Sequence, residues 1–550
     1  MNLLRKRTVA LGLAGLMILM TLTGCSQEKN KSEESGSNTQ SLQEITLCES
    51  WDFEGGFFSL QAPNVTNGTY GLYYFLTNFY ETLVRYENGE IVPGLAESWK
   101  VSPDGLTYTF YLKQGIKFSD GMDFNAEAVK INLDNIPGIL AEFNGGWGLT
   151  STLLDEVTVI DEYTVAVKLT TPYYGALQDF SVPMPMSMMS PAGYNDDGSL
   201  AEIAKTKTLG TGPYMYDGQK ENEIYTFIRN PYYDRGESDV DVFHVKVIPD
   251  NDAKVLALRN GEIDMIVGQA NLTYNTFEEL SDSQGFAAIA SDATIQSRTM
   301  GFNVAHAPFD DPAVRLAANY AVDTNGISTN IFYGIETPAE SVLDKELPYC
   351  DMDTGAYEYD IEKAKQILED AGWIDSDGDG IREKDGVKLS GNLLYATEQA
   401  SLGDLSSVLA AQLKEVGFDI TPVGKEQMVY FQDISNGDFD LAIAITNAIP
   451  SDPYLLISRC LTDTVIDNYL AQGLADMDNA DELINSLNAM TDSEEIQKVY
   501  NILLQELHDE ATLIPLTRVK GMAAYNTDVV FSYEFYSQPD YTDVSAIKMK

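Results

Sequence analysis

Polar and apolar positions alternate singly through 107–112 (TYTFYL), directly after the turn residues Ser102-Pro103-Asp104-Gly105. The same period recurs on both sides of Asp161-Glu162 within residues 155–169. A period of two is that of half-buried strands, so these segments predict a strand and a hairpin. Between them the spacing lengthens to that of a helix over 125–136, which Pro137-Gly138 is expected to end. The second half of the chain changes character. Asp360 can cap a helix whose apolar face is Ile361, Ala364, Ile367, Leu368 and Ala371, with Gly372 as its stop. Leu405, Val408, Leu409, Leu413 and Val416 repeat that pattern and stop at Gly417. A strand is expected at 418–421. Another is expected at 439–445, where the nearly continuous apolar run suits a strand covered on both faces. A last helix over 494–510 leads into the apolar 512–516. Helix and strand alternate, and the class is α/β.

The first residues follow none of these periods. Arg5, Lys6 and Arg7 precede an apolar run, 8–22, that is short for a bilayer span and closes on Leu22-Thr23-Gly24-Cys25. This resembles the signal and lipid-attachment box of bacterial lipoproteins. The resemblance implies that 1–24 is removed and that Cys25 becomes an acylated N-terminus. Residues 25–43, rich in Ser, Glu, Asn and Gln, cannot bury enough apolar surface to fold and read as a flexible tether.

Charge narrows the partners. The chain has 35 basic and 84 acidic residues, a net charge of −49, and loss of the signal makes it more negative still. That composition argues against nucleic acid and against electrostatic adhesion to anionic lipid. It favours solubility and draws cations. Beyond Cys25, the widely spaced Cys48, Cys350 and Cys460 give no disulfide framework and no Cys-x-x-Cys metal site. His244, His306 and His508 are equally scattered. No catalytic triad stands out among them. Paired carboxylates of a glycosidase kind are not singled out either, although acids are abundant.

A set of short motifs in fixed order carries a family resemblance. They are Glu81-Thr82-Leu83-Val84, the stretch 93–99 (PGLAESW), 110–123 (FYLKQGIKFSDGMD) and Gly210-Thr211-Gly212-Pro213-Tyr214. Arg229-Asn230-Pro231-Tyr232-Tyr233, Gly261-Glu262-Ile263-Asp264 and 302–327 come after them. The body resembles the extracytoplasmic solute-binding proteins of ABC importers, in the cluster that binds oligopeptides, dipeptides and nickel complexes, and looks most like the nickel-complex binders. The resemblance implies a two-lobed periplasmic-binding-protein fold of the class C type. Lobe 1 would be 44–298 with an extra subdomain at about 86–204, lobe 2 would be 299–514, and 515–550 would return to lobe 1. It also implies hinges near 296–303 and 513–518, and a small-molecule ligand held between the lobes of a monomer. Permease subunits with cytoplasmic ATPases would receive that ligand at the outer face of the cytoplasmic membrane. Enzymatic activity is not implied. A secreted hydrolase and a non-transport surface lipoprotein or sensor are the competing classes.

The residues depart from the family where its ligands are gripped. Peptide binders place an aspartate at the position of Ile449, four before Pro453, to hold an α-ammonium. Nickel-complex binders carry arginines where this chain has Met184 and Ser187, another at Asn144, and a stacking tryptophan at Asn447. Trp147 is retained. In 182–189 (VPMPMSMM) two prolines favour an extended backbone, and alternation would set Met184, Met186 and Met188 on one face. Trp51, Phe57, Phe58, Tyr70, Trp147 and Tyr454 are the aromatic candidates for the cleft, and Arg298 is the candidate cation. The expected ligand is therefore neither a plain free peptide nor a carboxylate-clamped nickel chelate. It is a small solute in an apolar cleft lined by methionine and aromatic side chains. Finally, Asp375, Asp377 and Asp379 with Gly380 match the first half of a calcium loop. Position twelve is Gly386, with Glu383 or Asp385 as substitutes, and a plain turn is the competing reading.

Overall fold

The computed structural model describes residues 42–60, 70–141, 144–220, 224–397, 400–445, 453–462, 470, 472–475 and 477–550. Cys25, Asn447, Ile449, Asp452 and the side chain of Tyr70 lie outside the described residues.

Among those residues an eleven-stranded mixed sheet runs through the molecule. One wing consists of Tyr214–Lys220, Ile224–Arg229, Val242–Val247, Glu44–Glu49 and Met265–Val267. The other consists of Leu441–Ile445, Ser390–Ala396 and Asp419–Lys425, which pair in parallel. Two long antiparallel strands, Phe286–Phe302 and Leu513–Asn526, join them, and the short Thr337–Pro338 pairs with the latter as the eleventh strand. At one end the second of these pairs with Met265–Val267, and at the other the first pairs with Leu441–Ile445. Register slips between Ala290 and Thr294, between Thr294 and Gln296, and between Arg298 and Thr299. The ladder is irregular midway between the wings.

A separate four-stranded antiparallel sheet orders Ala96–Val101, Thr107–Leu112, Thr164–Leu169 and Leu154–Asp161. The hairpin turns at Asp161 as its alternation predicts. Helix Ala126–Leu140 packs on this sheet through Val129, Leu133, Ile136 and Leu140, with the Asn125 side chain accepting from the Ala128 N–H. The helix does not end at Pro137. The buried faces of Ile136 and Leu140 hold it through the proline, which loses only its own N–H bond, and the turn comes at Ala141, whose φ is +48°. The later helices follow their pattern more closely. Asp360 caps Ile361–Asp370, Asp492 caps Ser493–Asp509, and Gly372 and Gly417 take φ of +85° and +104°.

The Gly210-Thr211-Gly212 motif has a steric origin. A Cβ at Gly210 would collide with the Phe79 carbonyl oxygen, and one at Gly212 would lie 2.6 Å from the Phe79 carbonyl carbon. Two backbones touch there, and only glycine allows it.

The methionine stretch differs from its expected form. Pro183–Met186 makes one helical turn with Met184 alone in extended geometry, φ −111° and ψ 117°. The alternation is broken and the side chains part. Met184 joins the core beside Phe57 and Phe58, whereas Met186 and Met188 join the core beneath the four-stranded sheet. All three are buried packing, and they form no shared wall.

Candidate functional site

The loop carrying Trp147 is built around a buried acid. Asp179 is fully buried, and its Oδ2 accepts from the Thr150 N–H at 2.8 Å. Gly148 presses so close that a Cβ there would lie 2.6 Å from Asp179 Oδ1, and its φ is +134°. Ser151 Oγ donates to the Gly148 carbonyl at 3.2 Å. These contacts fix the turn that presents Trp147, which stays partly exposed. Its indole packs against three separate apolar clusters at once, including the Val182–Leu455 pair. Val182 precedes the methionine turn and Leu455 belongs to Tyr454–Ile457. Trp147 therefore stands where distant parts of the chain converge.

Tyr454 is buried in a cluster that sequence reasoning missed. Tyr173 and Tyr174, which lie just beyond the last strand of the four-stranded sheet, meet Tyr349, Tyr454 and Tyr500 from the second half of the chain. Tyr173 and Tyr454 lie 5.6 Å apart, and Tyr349 stacks on Tyr500 at 5.6 Å and 18°. The Tyr174 and Tyr500 hydroxyls are 2.5 Å apart, and Asn488 Nδ2 donates to the Tyr454 hydroxyl at 2.7 Å. Each phenol offers an apolar body and a polar tip, the combination that seals a contact while leaving a partner for every hydroxyl. Their spacing in sequence gives no local signal. Trp51, in contrast, is 45% exposed, and Phe57 and Phe58 are core.

Arg298 does not offer its charge to a cleft. It is 1% exposed and Glu336 is fully buried. Its Nη2 and Nε donate to Glu336 Oε1 and Oε2 at 2.7 and 3.2 Å, a fork-to-fork pair, with the guanidinium 5.0 Å over the Phe332 ring. Tyr274 and Thr517 hydroxyls donate to the same carboxylate. Burial and the Glu336 charge push the Tyr274 phenol well up. Nothing in the sequence near Arg298 announced Glu336, which is 38 residues away. Because Thr517 lies on the second crossing strand, this network ties both crossing strands to the 332–336 turn. Arg518 makes a second tie, with Nη1 donating to the Val342 carbonyl at 3.1 Å and Nη2 to those of Ser341 and Leu343 at 2.8 and 2.9 Å. Between this segment and the crossing strands lies an open cavity of about 250 Å³ lined by Asp292, Thr294, Glu340, Asp344, Arg518 and Lys520 among others. Its wall is charged.

The acidic loop is partly rearranged from its expected pattern. Asp375, Asp377 and Glu383 bring carboxylate oxygens within 4.8 Å of one another, so Glu383 is the third acid. Asp379 instead pairs with Lys388, which also lies 3.6 Å from Asp377. Asp375 accepts from the Gly378 and Gly380 N–H groups at 2.8 and 3.0 Å, the bonding of a tight turn. Cys48, Cys350 and Cys460 are buried.

The model of the middle region of bacterial extracellular solute-binding proteins, family 5, matches residues 90–468. This chain belongs to that family. The nickel-binding periplasmic protein of Escherichia coli (strain K12) is 30% identical over 449 residues, covering 80% of this chain and 84% of that one. The oligopeptide-binding protein AppA of Bacillus subtilis is 27% identical and covers 92% of each chain. NikA from Brucella suis, solved in complex with Fe(III)-EDTA, superposes with a TM-score of 0.84 at 28% identity, covering 92% of this chain and all of that one. The fold is thus the two-lobed solute-binding fold. The family consists of substrate-binding transport proteins, and this chain is an extracytoplasmic solute-binding component of an ABC importer.

Proposed function

We propose that this family 5 protein is a membrane-tethered lipoprotein that captures a small solute, peptide-like or metal-chelate-like, between its lobes and delivers it as a monomer to an ABC permease. The observation that carries the ligand reading is Trp147. A partly exposed indole, fixed by Asp179 and touching three apolar clusters, is a ready stacking surface where the lobes meet. Lipid on Cys25 and the tether of 25–43 would keep the protein at the outer face of the cytoplasmic membrane. The lobes follow the crossing strands, with 44–298 and 515–550 on one side and 299–514 on the other. Closure is then a hinge motion driven by tighter binding to the closed form. The acidic loop 375–388 is a structural turn on this reading.

Native mass spectrometry of the purified protein tests the proposal. A co-purified small molecule is expected, and Trp147→Ala should lose it while remaining folded. Retention of the same molecule by the alanine variant would remove Trp147 from the site.

A further inference from the structure

Asp540 closes the segment 535–540, which lies across Gly521 of the second crossing strand. A Cβ at Gly521 would meet Pro539 at 2.8 Å and Phe535 at 3.1 Å. The Gly521 N–H donates to Ser291 Oγ on the first crossing strand at 2.9 Å, so the segment is fixed beside the stretch where register slips. Asn78 fastens residues 542–544 just beyond it, with Nδ2 donating to the Thr542 carbonyl at 2.6 Å and Oδ1 accepting from the Val544 N–H at 2.9 Å.

Three phenol rings gather at this end of the segment. Tyr541 lies 5.1 Å from Tyr73 and, edge to face at 88°, 6.2 Å from Tyr536. Tyr73 comes from helix Tyr70–Phe75, whose Gly71 approaches the carbonyls of Trp51 and Asp52 too closely for a side chain. Tyr541 is buried, whereas Asp540, Tyr73 and Tyr536 keep partial exposure. The Tyr73 hydroxyl lies beside the Asp540 side chain. Among the described residues no Lys, Arg or His pairs with Asp540. Arg85, which acts on Tyr536, is paired with Glu87 at 3.0 Å. Burial pushes the Asp540 carboxyl up to about 6, which leaves it mostly ionised at neutral pH. A carboxylate with so few partners in a largely aromatic wall is costly to hold unless a cation arrives.

We propose that this cluster binds the cationic group of the captured solute, a primary ammonium or a guanidinium, with Asp540 as counter-ion and Tyr73, Tyr536 and Tyr541 supplying the ring surfaces. The assignment rests on the solute-capture reading above. Ring faces attract such cations, and the strongly acidic chain raises their concentration near the site. Asp540 then supplies the negative charge that the Ile449 position lacks.

The test compares wild-type protein with Asp540→Asn, full chain, by thermal shift and titration calorimetry. The probes are trialanine, spermidine and agmatine, set beside N-acetyl-trialanine and a nickel–histidine mixture. At least one amine should bind wild type, its uncharged counterpart should not, and D540N should bind that amine at least about tenfold more weakly, about 1.4 kcal/mol. Equal binding of an amine by D540N overturns the anchor. So does a wild type that answers only to the acetylated or nickel probes, although solute capture then stands. Silence to every probe counts against solute capture itself, and the anchor falls with it. If D540N does not fold, Tyr73→Leu replaces it, and unchanged amine affinity in that variant overturns the proposal.

Discussion

Removing Glu336 should be among the most damaging single changes in the molecule. Glu336 is fully buried and accepts from both Arg298 nitrogens, at 2.7 and 3.2 Å, and from the Tyr274 and Thr517 hydroxyls. The third guanidinium nitrogen of Arg298, Nη1, finds no hydrogen-bond partner among the described residues. Glu336→Ala would therefore strand a buried cation and leave two hydroxyls without their acceptor. Stranding one member of such a pair costs about 3–5 kcal/mol. Glu336→Gln keeps the shape and one acceptor oxygen but loses the charge, for a cost of roughly 1.5–3 kcal/mol, the range for a hydrogen bond to a charged group. The double variant Arg298→Met/Glu336→Leu removes both charges and replaces them with apolar volume. It should cost clearly less than the sum of its single changes, because each single change leaves a lone buried ion. Equilibrium urea unfolding followed by circular dichroism measures wild type, the two Glu336 variants, the double variant and its single changes Arg298→Met and Glu336→Leu. Glu336→Ala within about 1 kcal/mol of wild type, or strict additivity in the cycle, would refute the reasoning.

Burial pushes the Glu49 carboxyl from 4.5 up to about 7. The native state therefore holds its proton more tightly than the unfolded chain, and the group's favourable contribution is lost as pH rises from 4.5 through 7. Glu49→Gln should gain on wild type across that window by about 3 kcal/mol, read by unfolding at pH 5 and pH 8; a gap that does not grow with pH contradicts it. Tyr174→Phe and Tyr500→Phe each delete the same hydroxyl pair, so each should cost about 1 kcal/mol and the double no more than one of them. Full additivity would show that the hydroxyls do not meet. A calcium chelator should leave the thermal midpoint unchanged because Lys388 already occupies the acidic loop, and a large drop would make the loop a true cation site. Cys25→Ala should either keep its signal or leave the membrane fraction; a fully processed variant that still partitions to membranes would remove the lipid anchor.

Local periodicity carried much of the fold. Alternation located the hairpin of the small sheet, and Asp360, Gly372 and Gly417 marked helix ends because caps and left-handed turns depend on one residue. It misled at Pro137, where packing of Leu140 outweighed the loss of one hydrogen bond, and at Pro183–Met186, where the chain turned about an extended Met184 rather than running straight. The site was less legible. Trp147 could be named from its motif, but Asp179, Glu336 and the tyrosine cluster act through contacts tens to hundreds of residues apart. No local pattern encodes such contacts. Arg298 illustrates the difficulty: a lone cation on a strand reads as a ligand contact until its buried partner is seen.

The two connections between the lobes are hydrogen-bonded to each other from Phe286–Asn526 to Gly301–Leu513, with gaps only where the register slips. A ribbon of that kind is stiff against bending in its own plane, since bending would stretch one strand and compress the other, but it yields readily to torsion. The slipped stretch between Ala290 and Thr299 is its weakest point. Out-of-plane flexing at that stretch is the hinge motion of closure, and torsion about the ribbon's long axis adds a twist to it, so that opposite walls are expected to slide past one another as they close. A side chain far from the ribbon then travels furthest for each degree of twist, and small changes in ribbon pitch are magnified at the rim.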